Sequence, residues 1–334
     1  MSHFDLYAIG NALVDSEYEV SDALLKTMGV DKSHMTLIDT PKRAELLGHL
    51  KNLHPRKTGG GSAGNTVVAL SQLGGKAFYS CKVADDDLGD FYVQDLQARG
   101  VATNLTHTRA LDGQTGSCMV LVTPDAERSM CTFLGVSAEL DDAALHPQDI
   151  VKSKIYYMEG YLAASPTGLQ AALKGRQVAK EAGVALALTL SDVSMIQFCK
   201  AGLDAMLGDG VDYLFCNLEE AQVWCGTQDL EAIRLKLKQI AKMVCLTRGP
   251  DGSEVITADQ FWHVPAEKVK AIDTNGAGDM FAGAFLYAIT RGYAPDQAAN
   301  LGNHAAAAVV SQHGNRLTLG QLSTIKAYAL PAQN

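Results

Sequence analysis

Seven consecutive residues carry the strongest chemical signal: Asp273-Thr274-Asn275-Gly276-Ala277-Gly278-Asp279, running into MFAGAFLYAITRG. Met280, Phe281, Ala284, Phe285, Ala288 and Ile289 recur at helical spacing and predict one core-facing side of a helix over 277–291. Two glycines at its start leave the first N–H groups uncovered. Small residues there let an anion approach those groups and the positive end of the helix dipole. Asp279 is an odd neighbour for an anion unless the chemistry needs it. Beside a bound phosphate it can take the proton of an attacking alcohol, an effect of ~10²–10⁴-fold in rate. Read piecewise, the same residues are an Asp cap followed by a dipole-favoured acid. The full string is more specific than its parts.

Three further clusters stand with it. Asn217-Leu218-Glu219-Glu220 ends the apolar run YLFC, where ligands gather in open α/β sheets. Asn217 and Glu220 suit a hydrated Mg²⁺ that bridges phosphates, and equally suit a helix capping box. Gly59-Gly60-Gly61-Ser62-Ala63-Gly64-Asn65-Thr66 satisfies G-x-G-x-x-G at Gly59, Gly61 and Gly64. A dinucleotide site needs a buried strand just before it, and the polar, Pro-broken KNLHPRKT argues against one. A Gly-rich turn opening a helix over 62–73 can instead offer backbone N–H groups and Asn65 to hydroxyls. Asn11 and Asp15 follow the first strand in GNALVD; they suit a grip on two vicinal hydroxyls, or simple turn formation.

These residues need a scaffold, and the patterning supplies one. LYAIG (6–10), AFYSCKV (77–83), KIYYME (154–159), VALALTL (184–190), YLFCN (213–217) and MVCLTRG (243–249) read as buried strands. Helical patterns over 62–73, 88–99, 166–181 and 228–241 separate them, a late hairpin spans 253–264, and helices are expected over 277–291 and 295–311. The expectation is an α/β fold: a Rossmann-like, mostly parallel sheet with helices on both faces. Two stretches, 12–40 and 114–135, alternate weakly with turn chemistry at Pro124-Asp125. They can pair into a small β-sheet outside the main layer, as a lid over a ligand or an edge ornament.

Composition narrows the class. The 334 residues are 47% hydrophobic and carry 28 basic against 37 acidic side chains, net −9. That balance disfavours nucleic acid as a partner and excludes a disordered chain. The cysteines are seven, an odd number with no C-x-x-C, so they are expected to be buried and reduced. With no signal-peptide start and no apolar run near ~20 residues, a cytoplasmic protein without a membrane span is expected. No Walker A string, hydrolase elbow or His/Cys zinc cluster occurs.

Taken together and in order, DTNGAGD, N-L-E-E, GGGSAGNT and GNALVD resemble the ribokinase-like (pfkB-type) family of sugar and nucleoside kinases, across almost the whole chain. The resemblance implies one ribokinase-like domain over 1–334 with a discontinuous β lid, and transfer of the ATP γ-phosphate to a primary alcohol. It makes Asp279 the general base and the N–H groups of Gly276, Ala277 and Gly278 an anion hole. Asn217 and Glu220 fall on the Mg²⁺- and phosphate-orienting motif. Asn11, Asp15, Gly60, Gly61 and Asn65 fall on positions that hold sugar hydroxyls. Thr247 and Gly249 in TRGPDG, Asn275, and Asn303 in GNHAAAA match the nucleotide pocket, and Arg128 in DAERSM the lid arginine near the phosphates. Two positions depart: Ala84 stands where VADDD commonly has glycine, and Met280 follows the base where a smaller residue is frequent.

GNALVD and Asn275 look more like the nucleoside branch, and Tyr161 in YMEGYL sits where that branch places an aromatic for a purine; a core tyrosine is the competing reading. The acceptor expected is therefore a purine nucleoside, adenosine first, with a sugar such as ribose or fructose as alternative. An NAD(P)-dependent oxidoreductase is the distant one, and a non-catalytic sensor is disfavoured by the intact Asp279. ATP and Mg²⁺ are the implied co-substrate and cofactor. Members of this family often respond to K⁺, for which these residues place no site. A monomer or homodimer is expected.

Overall fold

The structure, a computed structural model, describes residues 3–125 and 127–331. Its strands, numbered in chain order, form two sheets. The larger contains β1 (Phe4–Ile9), β5 (Ala77–Ser80), β6 (Ala102–Thr103), β9 (Ser153–Glu159), β10 (Ala185–Thr189), β11 (Val211–Asn217), β12 (Ala241–Thr247), β13 (Ser253–Thr257) and β14 (Phe261–Val264). The smaller contains β2 (Leu13–Glu19), β3 (Met35–Leu37), β4 (Arg56–Gly60), β7 (Ser117–Val122) and β8 (Arg128–Phe133). The large sheet runs β14-β13-β12-β11-β10-β9-β1-β5-β6, parallel from β12 to β6 with β13 and β14 as an antiparallel hairpin.

The near-continuous apolar strands have their physical reason in two cores. Leu6 and Ala8 of β1 point into one, Tyr7 and Ile9 into the other, so both sheet faces are covered by helices. The Ser62–Gln72 and Ala277–Thr290 helices pack together on the first face. A Cβ on Gly283 would lie 2.4 Å from the Thr66 carbonyl oxygen, so glycine alone permits this crossing. The close approach brings the two helix beginnings, and the motifs they carry, side by side.

The small sheet is ordered β3-β8-β7-β2-β4 and draws on the expected segments 12–40 and 114–135, plus one that the sequence does not signal as a strand. Residues 56–60 are a strand. They pair with Glu17–Leu13 of β2 as an edge, with Arg56 and Lys57 exposed, which is why the segment reads as polar. It joins the small sheet and not the large one, so the glycines after it do not complete a dinucleotide βαβ unit. The helices Thr40–Leu50, Val193–Phe198, Lys200–Leu207 and Leu319–Ala329 are also additions to the reading.

Both departures from the family pattern are harmless here. Ala84 is not in left-handed backbone, and its N–H donates to Thr115 Oγ1 at 3.0 Å. Met280 is fully buried in the core, so it does not narrow the site. All seven cysteines are free, six of them buried and Cys199 half-buried.

Candidate active site

Parallel strands deliver their carboxyl ends to one edge, and register fixes the neighbours along it. Thr247 of β12 is the partner of Asn217 of β11, and Thr189 of β10 is the partner of Glu159 of β9. Next to β9 comes β1, followed by Gly10 and Asn11. The edge thus has a β11–β12 half and a β9–β1 half, and the start of the Ala277–Thr290 helix belongs to the same region through Asp279.

Asp279 is the third residue of that helix and does not cap it. Gly276 occupies the cap position in left-handed backbone (φ 77°), with no side-chain cap. The Ala277 N–H makes a long 3.3 Å contact with the Thr274 carbonyl, and Met280 closes the first regular bond, to Gly276 at 2.9 Å. The turn is half-exposed, and a Cβ on Gly278 would meet nothing within 4 Å among the described residues. An uncovered helix start facing open space is what an anion needs. The Asp279 carboxylate turns to the neighbouring helix instead: Oδ1 accepts from Ser62 Oγ (2.6 Å) and Oδ2 from Asn65 Nδ2 (2.9 Å). Burial pushes its pKa up to about 6, against the lowering pull of Ser62, Asn65 and the Arg316 charge. At neutral pH it is an ionised carboxylate of enhanced basicity, which suits proton abstraction.

Asn65 therefore contacts the carboxylate, not open space, and its Oδ1 is taken by Arg316 Nε at 2.9 Å. Asn11 is buried, and its backbone N and Nδ2 donate to Glu159 Oε1 at 3.2 and 3.1 Å. Glu159 Oε2 accepts from the Ala63 N–H at 2.8 Å, so one buried carboxyl ties the turn after β1 to the start of the 62–72 helix. Burial lifts Glu159 to about 7, partly offset by those hydrogen bonds. Asp15 is half-buried, its Oδ2 accepting from Asn315 Nδ2 at 2.7 Å, and burial pushes it to about 7 despite the Arg316 charge. Gly60 and Gly61 lie against this pair of turns. Gly61 has φ 84°, and a Cβ there would sit 2.1 Å from the Asn11 carbonyl oxygen.

On the other half of the edge, Asn217 and Glu220 form a full capping box. Asn217 Oδ1 accepts from the Glu220 N–H (2.8 Å) and Glu220 Oε2 from the Asn217 N–H (3.0 Å), while Asn217 Nδ2 donates to Glu220 Oε1 (2.7 Å). The cap reading is thus realised. Burial raises Glu220 to about 7, and the charges of Asp192, Glu219 and Asp279 add to it. Thr247 is half-buried and Gly249 exposed at the neighbouring strand end. Asn303 is buried and donates through Nδ2 to the carbonyls of Val264 (2.8 Å) and Pro265 (3.3 Å), a prop for the chain after β14. Asn275 is exposed, its N–H donating to Asp273 Oδ1 at 3.1 Å. Tyr161, half-buried in the turn after β9, donates to the Ser191 carbonyl at 3.4 Å and faces the charges of Asp192, Asp279, Glu159 and Glu220.

Arg128 links the small sheet to the motif. Its Nη1 donates to Asp273 Oδ2 at 2.7 Å and Nη2 to Glu17 Oε2 at 2.8 Å, with His313 Nδ1 at 3.0 Å. Glu159, Ser62, Asn315, Arg316, Asp95 and Asp192 escaped the sequence reading. Ser62 lies inside the singled-out GGGSAGNT, and Glu159 ends a strand at the ligand edge; both had a visible signal. Asn315 and Arg316 reach the site from a loop with no motif.

Residues 26–321 match the pfkB family carbohydrate kinase model. The chain is 27% identical over 342 residues to an adenosine kinase of Schizophyllum commune, covering 94% of this chain and 97% of the relative. The crystal structure of adenosine kinase from Sinorhizobium meliloti superposes with TM-score 0.87 at 33% identity, covering 97% of this chain and 99% of that one. A probable sugar kinase protein from Rhizobium etli CFN 42 gives TM-score 0.86 at 33% identity, covering 99% of this chain and 100% of its own. With that match over most of its length and a fold shared end to end, the chain belongs to the pfkB family of carbohydrate kinases, phosphotransferases that use ATP and an alcohol acceptor.

Proposed function

We propose that this kinase transfers the γ-phosphate of ATP to the 5′-hydroxyl of a purine nucleoside, adenosine first among the candidates. The observation carrying the acceptor class is a row of side chains across the small sheet. Asp15 on β2, Cys118 on β7, Thr132 on β8 and Leu37 on β3 are register partners strand by strand. Thr132 Oγ1 reaches Cys118 Sγ at 3.4 Å, in keeping with one shared face. At ~4.8 Å per strand the row runs roughly 14 Å from Asp15 to Leu37. Its far end opens on a cavity of about 600 Å³ lined by Leu37, Ile38, Thr132, Phe133, Leu134 and Val136 among others. A free pentose held at Asp15 leaves that cavity unfilled. A nucleoside puts its ribose at Asp15 and Asn11 and its flat base over Thr132 and Leu37. Tyr161 then belongs to the wall beside Asp279 rather than to the base cavity.

In the reaction, Asp279 accepts the hydroxyl proton as the acceptor oxygen bonds to the γ-phosphorus. The bond from that phosphorus to the β,γ-bridging oxygen breaks and ADP leaves. The N–H groups of the Gly276–Gly278 turn receive the charge gathering on the transferring phosphate, and positioning supplies the rest. Asn217 and Glu220 fit a Mg²⁺ held through water: they are oxygen donors in an acidic corner formed with Asp192 and Glu219. Bound there, the ion would neutralise phosphate charge. The small sheet is a lid in this reading, held to the phosphate side by Arg128 and excluding water that would waste ATP.

The test is coupled ADP release with Mg-ATP across adenosine, inosine, guanosine, cytidine, ribose and fructose, with and without K⁺. Turnover with one purine nucleoside at micromolar concentration is expected. Turnover with a free sugar alone would retire the base cavity and make this a sugar kinase.

A further inference from the structure

We propose that Arg316 is a positioning residue for phosphoryl transfer: it fixes the direction of the Asn65 amide, and Asn65 in turn fixes the carboxylate of Asp279. The inference rests on Asp279 being the base.

Arg316 comes from the loop between the Pro295–Val310 and Leu319–Ala329 helices, and its side chain is 3% exposed. Its Nη1 pairs with Asp95 of the Asp87–Ala98 helix, and Asp95 is itself held by Arg99 at 2.9 Å. The guanidinium is thereby anchored from behind. Its Nε donates to Asn65 Oδ1 at 2.9 Å, and Asn65 Nδ2 donates to Asp279 Oδ2 at 2.9 Å.

The chemistry of the three groups makes this order one-way. A guanidinium only donates and an ionised carboxylate only accepts, whereas an amide has one face of each kind. Turning the Asn65 amide over would set its NH₂ against the Arg316 N–H and its oxygen against the carboxylate, two repulsive contacts. Arg316 therefore holds the amide with its donor face on Asp279. Lysine has no rigid fork to reach Asp95 and Asn65 together.

Two buried atoms mark the loop as more than a prop. Arg316 Nη2 and Asn315 Oδ1 are inaccessible to solvent and find no partner among the described residues. Filling a core does not require unpartnered polar atoms, which are costly. Asn315 meanwhile holds Asp15 at 2.7 Å. One loop dipeptide thus reaches two carboxylates of the site, Asp15 directly and Asp279 through Asn65.

The experiment is a set of variants read by kcat, acceptor KM and melting temperature: Arg316→Gln, Asp95→Asn with Arg316→Gln, Asn65→Ala, Asn65→Ala with Arg316→Gln, and Asp279→Asn. Arg316→Gln is expected to lower kcat by roughly 10- to 100-fold, the scale of a misplaced reacting group, with less than a threefold change in KM. It also removes one of the two guanidinium partners of Asp95, leaving Arg99 alone on that carboxylate, so melting temperature falls. Adding Asp95→Asn relieves that and is expected to recover the melting temperature while kcat stays low. In the Asn65→Ala background Arg316→Gln should cost no further kcat, because the route through Asn65 is already cut. Recovery of kcat together with stability, or the same fold loss in both backgrounds, overturns the proposal. If Arg316→Gln alone does not fold, the pair with Asp95→Asn carries the comparison. Turnover by Asp279→Asn would instead overturn the base assignment itself, a separate result from additivity at Arg316 with Asp279→Asn inactive.

Discussion

Removing the Ser62 hydroxyl should move the pH dependence of turnover without lowering its plateau. Ser62 Oγ donates to Asp279 Oδ1 at 2.6 Å and, after burial, is the largest influence on that carboxylate, in the lowering direction. Hydrogen bonds to charged groups contribute about 1.5–3 kcal/mol, and each pKa unit is about 1.4 kcal/mol, so the limit is ~1–2 units. Asp279 is only half-buried, and water replaces part of the lost bond, which leaves an expected rise of roughly one unit. The base must be ionised to work, so activity is lost as pH falls through its pKa. The acid limb of kcat/KM should therefore move from about 6 in the parent to roughly 7 in Ser62→Ala. At pH 6 that is a loss of about fivefold; at pH 8 most of the carboxylate is ionised in both and the rates converge. Asp15, Glu159 and Glu220 titrate in the same range, at about 7, but Ser62 is not among the influences on any of them. Coupled ADP release between pH 5 and 9 reads the difference. An unmoved limb, or one that moves down, would refute the assignment of Asp279 as the titrating base.

Other perturbations follow from the same contacts. Arg128→Ala leaves Asp273, whose side chain is 4% exposed, without its guanidinium; a stability loss of about 3 kcal/mol by urea unfolding is expected, and no loss would mean the pair does not hold the small sheet down. Thr132→Trp fills the cavity at the end of the Asp15 row, so nucleoside KM should rise at least about tenfold while ribose turnover is unchanged; equal effects on both acceptors would remove the base from that cavity. Asn217→Ala breaks the capping box at a cost of about 1 kcal/mol and should raise the Mg²⁺ concentration needed for half-maximal rate; a stability loss with unchanged Mg²⁺ dependence would leave Asn217 as a cap alone.

The sequence exposed what local patterning controls. The buried parallel strands are continuous apolar runs because both faces are covered, and Pro166–Glu181 has the same bounds in the sequence reading and the structure. β4 was hidden because an edge strand of a small sheet can be polar on its solvent side, and RKTGG has neither alternation nor β-branched residues beyond Thr58. The site divides along the same line. DTNGAGD announces an uncovered helix start and its carboxylate within one string. What surrounds Asp279 depends on a helix crossing permitted at Gly283 and on a loop that returns after residue 310, and neither is written in spacing. Asn217 and Glu220 show a limit of another kind, since one N-x-x-E spells a cap and a metal contact alike.

The most direct measurement is the turnover of Asp279→Asn beside its nucleotide binding, both at pH 8 with Mg-ATP and the best acceptor of the panel. If Asp279 takes the acceptor proton, turnover should fall by ~10²–10⁴-fold while ATP affinity, measured by calorimetry, stays within a few-fold of the parent. A variant that binds ATP and still turns over at the parent rate would contradict the central claim.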